Sequence, residues 1–359
     1  MRGSARLRSI IVKIVGPVLA AVAAAAVPAG MATWARFSPL PSAWLIKSMF
    51  GFGDAASRAA MKAHVPGGVE GRTDLAYGTR PAERLDVWSP EGTTAPLPAV
   101  VWVHGGGWIA GSRTTVAPYL QILAAEGCTA IGVDYSLAPR ATYPRPVLEV
   151  NDALAWILDH ADELHVDPGR VVLAGDSAGA QIAGQVAALT SNPAYAERLG
   201  ITPALRADQL AGTLLHCGLF APELLDRPTG MGGWLEQTIA WSYVGTRRVT
   251  PEAYAEMSVV RHVTRDFPPT LISGGNGDPL SVHGHALRDR LTALGVRVMA
   301  YFWPSDHRPT LPHEFQFDLK RPEARQVLDG TRAFLGRVIS GPARLPGIGP
   351  ATAPGLAGV

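Results

Sequence analysis

Residues 171–179 read Val-Val-Leu-Ala-Gly-Asp-Ser-Ala-Gly, an apolar run that leads directly into a Gly-x-Ser-x-Gly pentapeptide. The pattern predicts a strand that turns sharply into a helix, with the Ser177 hydroxyl exposed at the turn. Gly175 and Gly179 suit the crowded backbone of such a turn, and the small Ala178 follows the serine, where a free N–H is useful. The same pentapeptide also occurs by chance in loops, so the rest of the chain decides whether Ser177 has chemical partners.

Strands and helices alternate on both sides of this turn. Short apolar runs predict strands at 99–104, 129–135, 171–174, 210–219, 270–274 and 296–302. Helical patterns occupy 114–126, 148–160 and 177–189. This alternation predicts βαβ units and therefore an α/β fold, with a mostly parallel central sheet flanked by helices.

Two segments do not follow the alternation. Residues 36–70 carry an amphipathic helical pattern, and residues 221–267 interrupt the main domain (71–340) with glycines and aromatic residues. We expect residues 221–267 to form a cap over the carboxyl edge of the sheet, although they also fit an ordinary helical excursion. Residues 341–359, rich in Pro, Gly and Ala, are typical of a disordered tail.

The amino terminus resembles a targeting segment. Several basic residues within 1–13 precede an uncharged stretch, rich in Ala and Val, at 14–35. This order fits an export signal, and the stretch is also long enough for a membrane anchor. A helix packed against the main domain is the alternative. We expect residues 1–35 to be a signal peptide or anchor that places the chain in the cell envelope or outside the cell, which leaves a cytoplasmic location open.

The composition excludes some classes of protein. The 359 residues are 47% hydrophobic, with a net charge of only +2 and no basic stripe with interleaved aromatics, so nucleic-acid binding is not indicated. Cys128 and Cys217 lie in apolar runs, and their spacing indicates neither a disulfide nor a zinc site. We expect both to be small buried residues.

A reactive serine needs a base, an acid that orients the base, and hydrogen-bond donors for the oxyanion. Asp278 lies in a Gly-rich loop directly after the strand at 270–274, where the acid of such a fold belongs, but a turn aspartate also suits this position. His104-Gly-Gly-Gly-Trp108 follows another strand, and its glycines would let backbone N–H groups approach a carbonyl. No phosphate-binding motif accompanies this loop, and we expect His104 to anchor it.

These motifs make the chain resemble the hormone-sensitive-lipase-like family of α/β-hydrolases, which includes esterases, lipases and arylacetamide deacetylases. The matching pieces are His104-Gly-Gly-Gly-Trp108, Asp134-Tyr135 with Leu137-Ala138-Pro139, Gly175-Asp-Ser-Ala-Gly179, Asp278-Pro-Leu280 and His313-Glu-Phe315. The resemblance implies Ser177 as nucleophile, Asp278 as acid and oxyanion donors from Gly106, Gly107 and Ala178. It also implies a helical cap made from the amino-terminal helices at 36–70 and the 221–267 insertion, and a carboxylic ester as substrate with no cofactor. We expect no metal.

The chain departs from the family pattern in places. Ser136 and Arg140 occupy positions that usually hold an arginine and a glutamate, which removes a structural ion pair rather than a catalytic group. The histidine is also ambiguous, because both His307 and His313 follow Asp278 at a suitable distance. The spacing from Asp278 favours His307. The local sequence favours His313, since His-Glu-Phe resembles the family's His-Gly-Phe, and we select His313.

The sequence thus predicts a serine hydrolase of apolar short- to medium-chain or aryl esters, acting through Ser177, His313, Asp278 and an acyl-enzyme. An amidase, deacetylase or lactonase could use the same triad, and a non-catalytic ligand-binding protein on this scaffold is the alternative of another class. We expect Trp108, Trp234 and Trp241 to line the substrate pocket, and His283 and His285 to face solvent. The expected partner is a small-molecule ester or lipid, with membrane association through the amino terminus. The oligomeric state is left open.

Overall fold

A computed structural model describes residues 34–225 and 229–339 of the chain. It contains one sheet of eight strands. The strands are β1 (Val69–Ala76), β2 (Arg84–Pro90), β3 (Leu97–Val103), β4 (Thr129–Val133), β5 (Val166–Asp176), β6 (Leu210–His216), β7 (Thr270–Gly274) and β8 (Val298–Phe302). The targeting segment predicted at 1–35 lies almost wholly outside the described residues, as does the tail predicted at 341–359.

Ten α-helices accompany the sheet in the described part of the chain. They are α1 (Leu40–Lys62), α2 (Arg113–Ala124), α3 (Arg145–Asp159), α4 (Ser177–Ser191), α5 (Pro193–Leu199), α6 (Gly230–Val244), α7 (Pro251–Met257), α8 (Val259–His262), α9 (Ser281–Ala293) and α10 (Pro322–Ile339). Short 3₁₀ helices occur at Ala207–Gln209, Pro222–Leu224 and Phe315–Phe317. None of the described helices is both long and apolar enough to cross a membrane.

The strand order is β1-β2-β4-β3-β5-β6-β7-β8. Six neighbouring strands of the sheet are parallel, namely β4, β3, β5, β6, β7 and β8. Strand β2 pairs antiparallel with both β1 and β4. The predicted α/β fold with a mostly parallel sheet is therefore confirmed. Parallel strands end at the same edge, so the loops after β3, β5, β7 and β8 can meet in one place.

The core has two layers because the central strands are buried on both faces. In β3, Val101 and Val103 belong to the apolar layer that includes α3 and α4, whereas Val100 and Trp102 belong to the layer that includes α2 and α10. This alternation follows from the strand geometry, in which successive side chains point to opposite faces. Two helical layers therefore hold the strand ends rigidly.

Helices α6 to α8 all lie within the 221–267 insertion. Helix α1 packs against α6, and the Arg247 guanidinium donates to the Arg36 carbonyl at 2.9 Å, so the insertion also contacts the segment before α1. Side chains from both helices reach the loop after β3, since Phe50 and Ile239 lie beside Gly107. The two segments predicted to form a cap are thus neighbours above this loop.

Candidate active site

The turn from β5 into α4 holds Ser177 in a conformation that side chains rarely adopt. Its φ is +51°, in the left-handed region, and Asp176 before it is extended. A Cβ at Gly179 would overlap the carbonyl oxygens of Val103 and His104, and one at Gly175 would also crowd Val103. The glycines therefore let α4 begin against the end of β3, and this close crossing forces the sharp turn at the serine.

Two hydrogen bonds connect Ser177 to His313 and Asp278. His313 Nε2 lies 2.9 Å from Ser177 Oγ, and His313 Nδ1 lies 2.9 Å from Asp278 Oδ2. The other oxygen of the buried Asp278 carboxylate accepts from the Leu280 N–H at 2.9 Å, which fixes its orientation. The three predicted residues are thus brought together in the order that nucleophilic catalysis requires.

The loops that carry the acid and the histidine are bonded to each other. The Leu311 N–H donates to Asn276 Oδ1 at 2.8 Å, and the Gly277 N–H donates to the Leu311 carbonyl at 2.9 Å. These contacts connect the loop after β7 with the loop after β8. They hold His313 at the sheet edge, on the Asp278 side of Ser177.

The competing histidine lies elsewhere. His307 Nε2 is 2.7 Å from a carboxylate oxygen of Glu323, which is buried at the start of α10. Its backbone carbonyl accepts from the Asn276 side chain at 3.1 Å. His307 therefore supports the loop that carries His313 and does not contact Ser177.

The loop after β3 carries Gly106 and Gly107, and its Gly105 N–H is bonded to the side chain of Asp176, the residue before Ser177. Gly106 and Gly107 both have positive φ, +107° and +60°, and within 34–225 and 229–339 no group accepts a hydrogen bond from either N–H. The Ala178 N–H lies in the first turn of α4, where helices leave N–H groups without intrahelical partners. These three donors are available for a negatively charged oxygen.

His104 and Asp176 hold this loop in place. His104 Nδ1 lies 2.8 Å from the Gly105 carbonyl, and the His104 ring stacks on Tyr135 with centroids 4.5 Å apart. The Asp176 carboxylate accepts from the Gly105 N–H at 2.8 Å and from Trp102 Nε1 at 2.7 Å. His104 thus occupies the anchoring position that the sequence predicted.

Acidic groups dominate the electrostatics of the site. Burial opposes the protonation of His313, but its hydrogen bond to Asp278 and the carboxylates of Glu314, Asp278 and Asp176 outweigh burial and raise its pKa to about 9. Burial, followed by the neighbouring Glu314, raises the pKa of Asp176 to about 8. Helix α1 adds Asp54, whose pKa is raised by burial and by Asp176. The sequence analysis missed Glu314 and Asp54, and the replacement of the family's glycine by Glu314 was the available signal.

The aromatic residues expected in the pocket differ in their surroundings. Trp108 is buried: its ring stacks on Tyr243 of α6 with centroids 4.2 Å apart, and its Nε1 donates to Gln181 at 3.3 Å. It thus joins the loop at 104–108, the candidate oxyanion loop, to the insertion instead of forming an open wall. The Arg247 guanidinium lies over Trp241, 5.5 Å from the centre of the indole ring. Trp234 is half-buried against the core. A pocket role for these two stays a prediction.

Three further expectations concern single side chains. His283 was expected to face solvent, but it is buried, with Nδ1 2.8 Å from the Ala221 carbonyl, because α9 packs against the start of the insertion. His285 is also partly covered, by Phe302. Cys128 and Cys217 are free and buried, as expected. Cys217, Asp278 and His313 place possible metal-binding atoms within 4.8 Å of one another, but the Asp278–His313 hydrogen bond already accounts for two of them.

A groove of about 1010 Å³ lies beside this site, between α1 and the segment from 136 to 149. Ser177 is not part of its lining. In this groove the Glu149 carboxylate accepts from the backbone N–H and the hydroxyl of Ser136, at 2.6 and 2.9 Å. Ser136 therefore gives Glu149 a hydrogen-bond partner at the position where the family usually has an arginine.

Comparison with known proteins shows the family to which the chain belongs. Residues 100–316 match a family model described as an alpha/beta hydrolase fold. The chain is 30% identical over 279 residues to carboxylesterase NlhH of Mycobacterium tuberculosis, covering 76% of this chain and 81% of that protein. It is also 30% identical over 213 residues to esterase LipC of the same organism, covering 58% of this chain and 51%, about half, of LipC. Esterase B from Lactobacillus rhamnosis shares the fold, with a TM-score of 0.70 and 23% identity over 82% of this chain and 94% of that one.

Proposed function

The chain belongs to the hormone-sensitive-lipase-like esterases of the α/β-hydrolase fold, and on this premise we propose that it hydrolyses carboxylic esters through Ser177, His313 and Asp278. The observation that carries the proposal is the pair of 2.9 Å hydrogen bonds that run from Asp278 through His313 to Ser177 Oγ. The relatives NlhH and LipC are named as esterases, which supports an ester as the bond that this chain hydrolyses.

In the first half of the reaction, Ser177 Oγ attacks the carbonyl carbon of the ester while its proton passes to His313 Nε2. Asp278 holds the imidazole ring and stabilises the imidazolium that forms. The carbonyl oxygen becomes an oxyanion, to which the N–H groups of Gly106, Gly107 and Ala178 donate. When the tetrahedral intermediate collapses, the C–O bond of the ester breaks and the alcohol leaves with the proton from His313.

In the second half, a water molecule repeats these steps on the acyl-enzyme. His313 Nε2 takes a proton from the water as its oxygen attacks the acyl carbon, and the bond to Ser177 Oγ breaks. The proton returns to Ser177, and the carboxylic acid leaves. The chain's own residues supply each proton transfer in this scheme.

The substrates are apolar esters with short to medium acyl chains or aryl groups. Support comes from the two apolar side chains next to the oxyanion loop, since Ile239 and Phe50 would lie 3.3 and 3.5 Å from a Cβ at Gly107. Apolar walls with few polar groups favour apolar acyl or alcohol parts of a substrate. The buried Trp108 stack behind the loop keeps this wall in place.

The proposal is tested by covalent labelling and turnover. A fluorophosphonate probe should label the wild-type chain, and p-nitrophenyl butyrate should be hydrolysed. The Ser177→Ala variant should lose both, whereas Ser305→Ala, which changes an exposed serine, should keep both. Labelling or turnover that survives in Ser177→Ala would contradict the assignment of the nucleophile.

A further inference from the structure

The outer face of α1 is unusually apolar. Ten large hydrophobic side chains are exposed in the described part of the chain, and seven of them lie between residues 34 and 52. They are Trp34, Phe37, Leu40, Trp44, Leu45, Met49 and Phe52. Phe37 and Phe52 are 80% and 81% exposed. Contiguous apolar surface of this kind marks an interaction site in soluble proteins.

Helix α1 has two distinct faces. Ala43 and Ile46 are buried, and Phe50 packs toward the oxyanion loop. Leu45, Met49 and Phe52 follow a helical spacing of four and three residues, which places them together on the opposite, exposed side. The helix therefore covers the site with one face and leaves the other without an intramolecular partner among the described residues.

The charges and the position of α1 indicate which partner covers this face. The helix carries three basic residues (Lys47, Arg58, Lys62) and one acid, and the acid, Asp54, is turned toward Asp176. All three basic side chains are exposed, so the exposed surface of the helix combines apolar and basic residues, which complements an anionic lipid surface. The uncharged stretch 14–35 ends directly before this face begins.

We propose that the exposed apolar side chains from Phe37 to Phe52, on α1 and directly before it, lie in the headgroup region of an anionic lipid bilayer. The inner face of the same helix contacts the oxyanion loop, so docking would hold the active site close to the membrane surface. The consequence for the substrate rests on the proposed esterase activity. An active site held at the membrane surface would favour esters that dissolve in lipid.

The test places an environment-sensitive label on the docked face of the full-length chain. The native cysteines are buried, so a nitrobenzoxadiazole label can be attached selectively to Ser48→Cys, on the exposed side of α1. Asp208→Cys, on an exposed 3₁₀ helix before β6, is the matched control. Vesicles of phosphatidylcholine mixed with phosphatidylglycerol should raise the emission at position 48 by roughly twofold and shift it to the blue, with no change at position 208.

Several outcomes would overturn the docking proposal. The emission of the label at position 48 could remain that of a label in water while the chain sediments with the vesicles. This result would assign membrane binding to the residues before α1. A change without vesicles that grows with protein concentration would assign the face to a second copy. A label shielded at every concentration without vesicles would assign it to the chain's own amino-terminal segment. Hydrolysis of a soluble short-chain ester in the same samples tests the proposed activity separately.

A second feature, independent of α1, is the acid that follows the catalytic histidine. Glu314 has a φ of +57°, in the region that favours glycine. Its Oε1 lies 3.7 Å from His313 Nε2, the atom that faces Ser177. The same oxygen and Asp176 Oδ2 would both crowd a Cβ at Gly105, so the two carboxyl groups are neighbours. The two carboxyl groups therefore form a close acidic pair beside the general base.

The surroundings of this pair are mixed in charge. Asp54 of α1 faces it with a further carboxyl group, and His104 lies on the β3 side. The Cys217 thiol also contacts the Glu314 backbone, and burial raises its pKa, so the thiol stays neutral. Asp176 already accepts from Trp102 and Gly105. Of the two carboxyl groups, that of Glu314 is nearer to the general base, because its Oε1 lies 3.7 Å from His313 Nε2.

We infer that Glu314 is a positioning residue that sets the pH range in which His313 acts as a base. Its negative charge would stabilise the imidazolium and keep His313 protonated to a higher pH. Glu314→Gln removes this charge and retains a neutral hydrogen-bonding group. The inference uses the proposed base His313, and the Ser177 and His313 variants test that assignment independently.

The test is the pH dependence of kcat/KM. In Glu314→Gln, the acidic limb of the profile should move by roughly one unit to lower pH, because a charge within about 4–6 Å shifts a pKa by that order. Glu314→Gly, which gives the His-Gly-Phe of the family pattern, should move it in the same direction. Glu323→Gln, which changes the acid beside His307, is the control and should leave the profile in place. A uniform loss of activity with an unmoved limb would reduce Glu314 to a structural role and overturn the inference.

Discussion

Two histidines six residues apart contact different acids. His313 is bonded to Asp278 and Ser177, whereas His307 is bonded to Glu323. Both are histidine–carboxylate pairs of similar length, at 2.9 and 2.7 Å, so the pairing itself does not distinguish them. The contact with Ser177 Oγ does, because the base must reach the proton that it removes.

This difference predicts the outcome of two substitutions. His313→Ala should lower kcat/KM for p-nitrophenyl butyrate by at least about 10³-fold, because no other described group is placed to take the Ser177 proton. His307→Ala should keep most of the activity and lose some stability through its contact with Glu323. An inactive His307→Ala beside an active His313→Ala would reverse the assignment.

The pKa of His313 also predicts the direction of the pH dependence. The base must be neutral to accept a proton, and its pKa is raised to about 9. The value of kcat/KM should therefore rise with pH and reach half of its plateau near pH 9, while it falls as the solution becomes acidic and the imidazolium accumulates. Steady-state kinetics with a soluble ester across the alkaline range measures this midpoint. A profile that is flat between neutral pH and pH 9 would contradict the raised pKa.

At the scale of elements, the crossing of α4 over β3 creates the serine turn. The helix begins where β5 ends, and Gly179 allows its first turn to lie against the carbonyl groups of Val103 and His104. A side chain there would push α4 away from the sheet. Gly184, one and a half turns later, instead faces side chains, because a Cβ there would lie 3.2 Å from Val259 and 3.8 Å from Phe220.

We expect a Gly→Ala substitution to change the free energy of unfolding by different amounts at these two positions. Gly179→Ala should lower the free energy of unfolding by about 3 kcal/mol, because backbone cannot yield as a side chain can. Gly184→Ala should change it by less than about 1 kcal/mol, since the gain in helix propensity offsets the tight contact with Val259. Urea denaturation of both variants measures the difference. Equal effects would show that the crossing tolerates a Cβ.

At the scale of the whole molecule, the site is assembled from segments far apart in the chain. Helix α1 contributes Phe50, the insertion contributes Ile239, and both meet at the loop after β3. Their position results from the packing of α1 on α6 above the sheet edge. The acyl selectivity of the enzyme should thus depend on two side chains that are not part of the triad.

This arrangement predicts a chain-length effect. Phe50→Ala and Ile239→Ala should each reduce kcat/KM for p-nitrophenyl hexanoate by about tenfold, the rate equivalent of roughly 1.5 kcal/mol of lost apolar contact. Hydrolysis of p-nitrophenyl acetate should change little. Val282→Ala, which shortens an exposed side chain on α9, is the control. An equal loss for acetate and hexanoate would place these residues outside the acyl pocket.

The local features of this protein could be predicted from the sequence alone. The strand at 270–274 was placed at its observed bounds, because a short apolar run between turn residues has few alternatives. The parallel sheet followed from the alternation of strands and helices. Ser177, Asp278 and the loop at 104–108 were recognised because each motif is contiguous and directly follows a strand.

Tertiary structure decided the relations between distant segments. Ser177 and His313 are 136 residues apart, and the choice between His313 and His307 depended on how two loops pack. The contact of Glu314 with Asp176 and the burial of His283 also depend on neighbours that local sequence does not specify. A strand or a turn is determined by interactions between nearby residues, whereas a site requires the closing of long loops, whose geometry is fixed only when the whole core is packed.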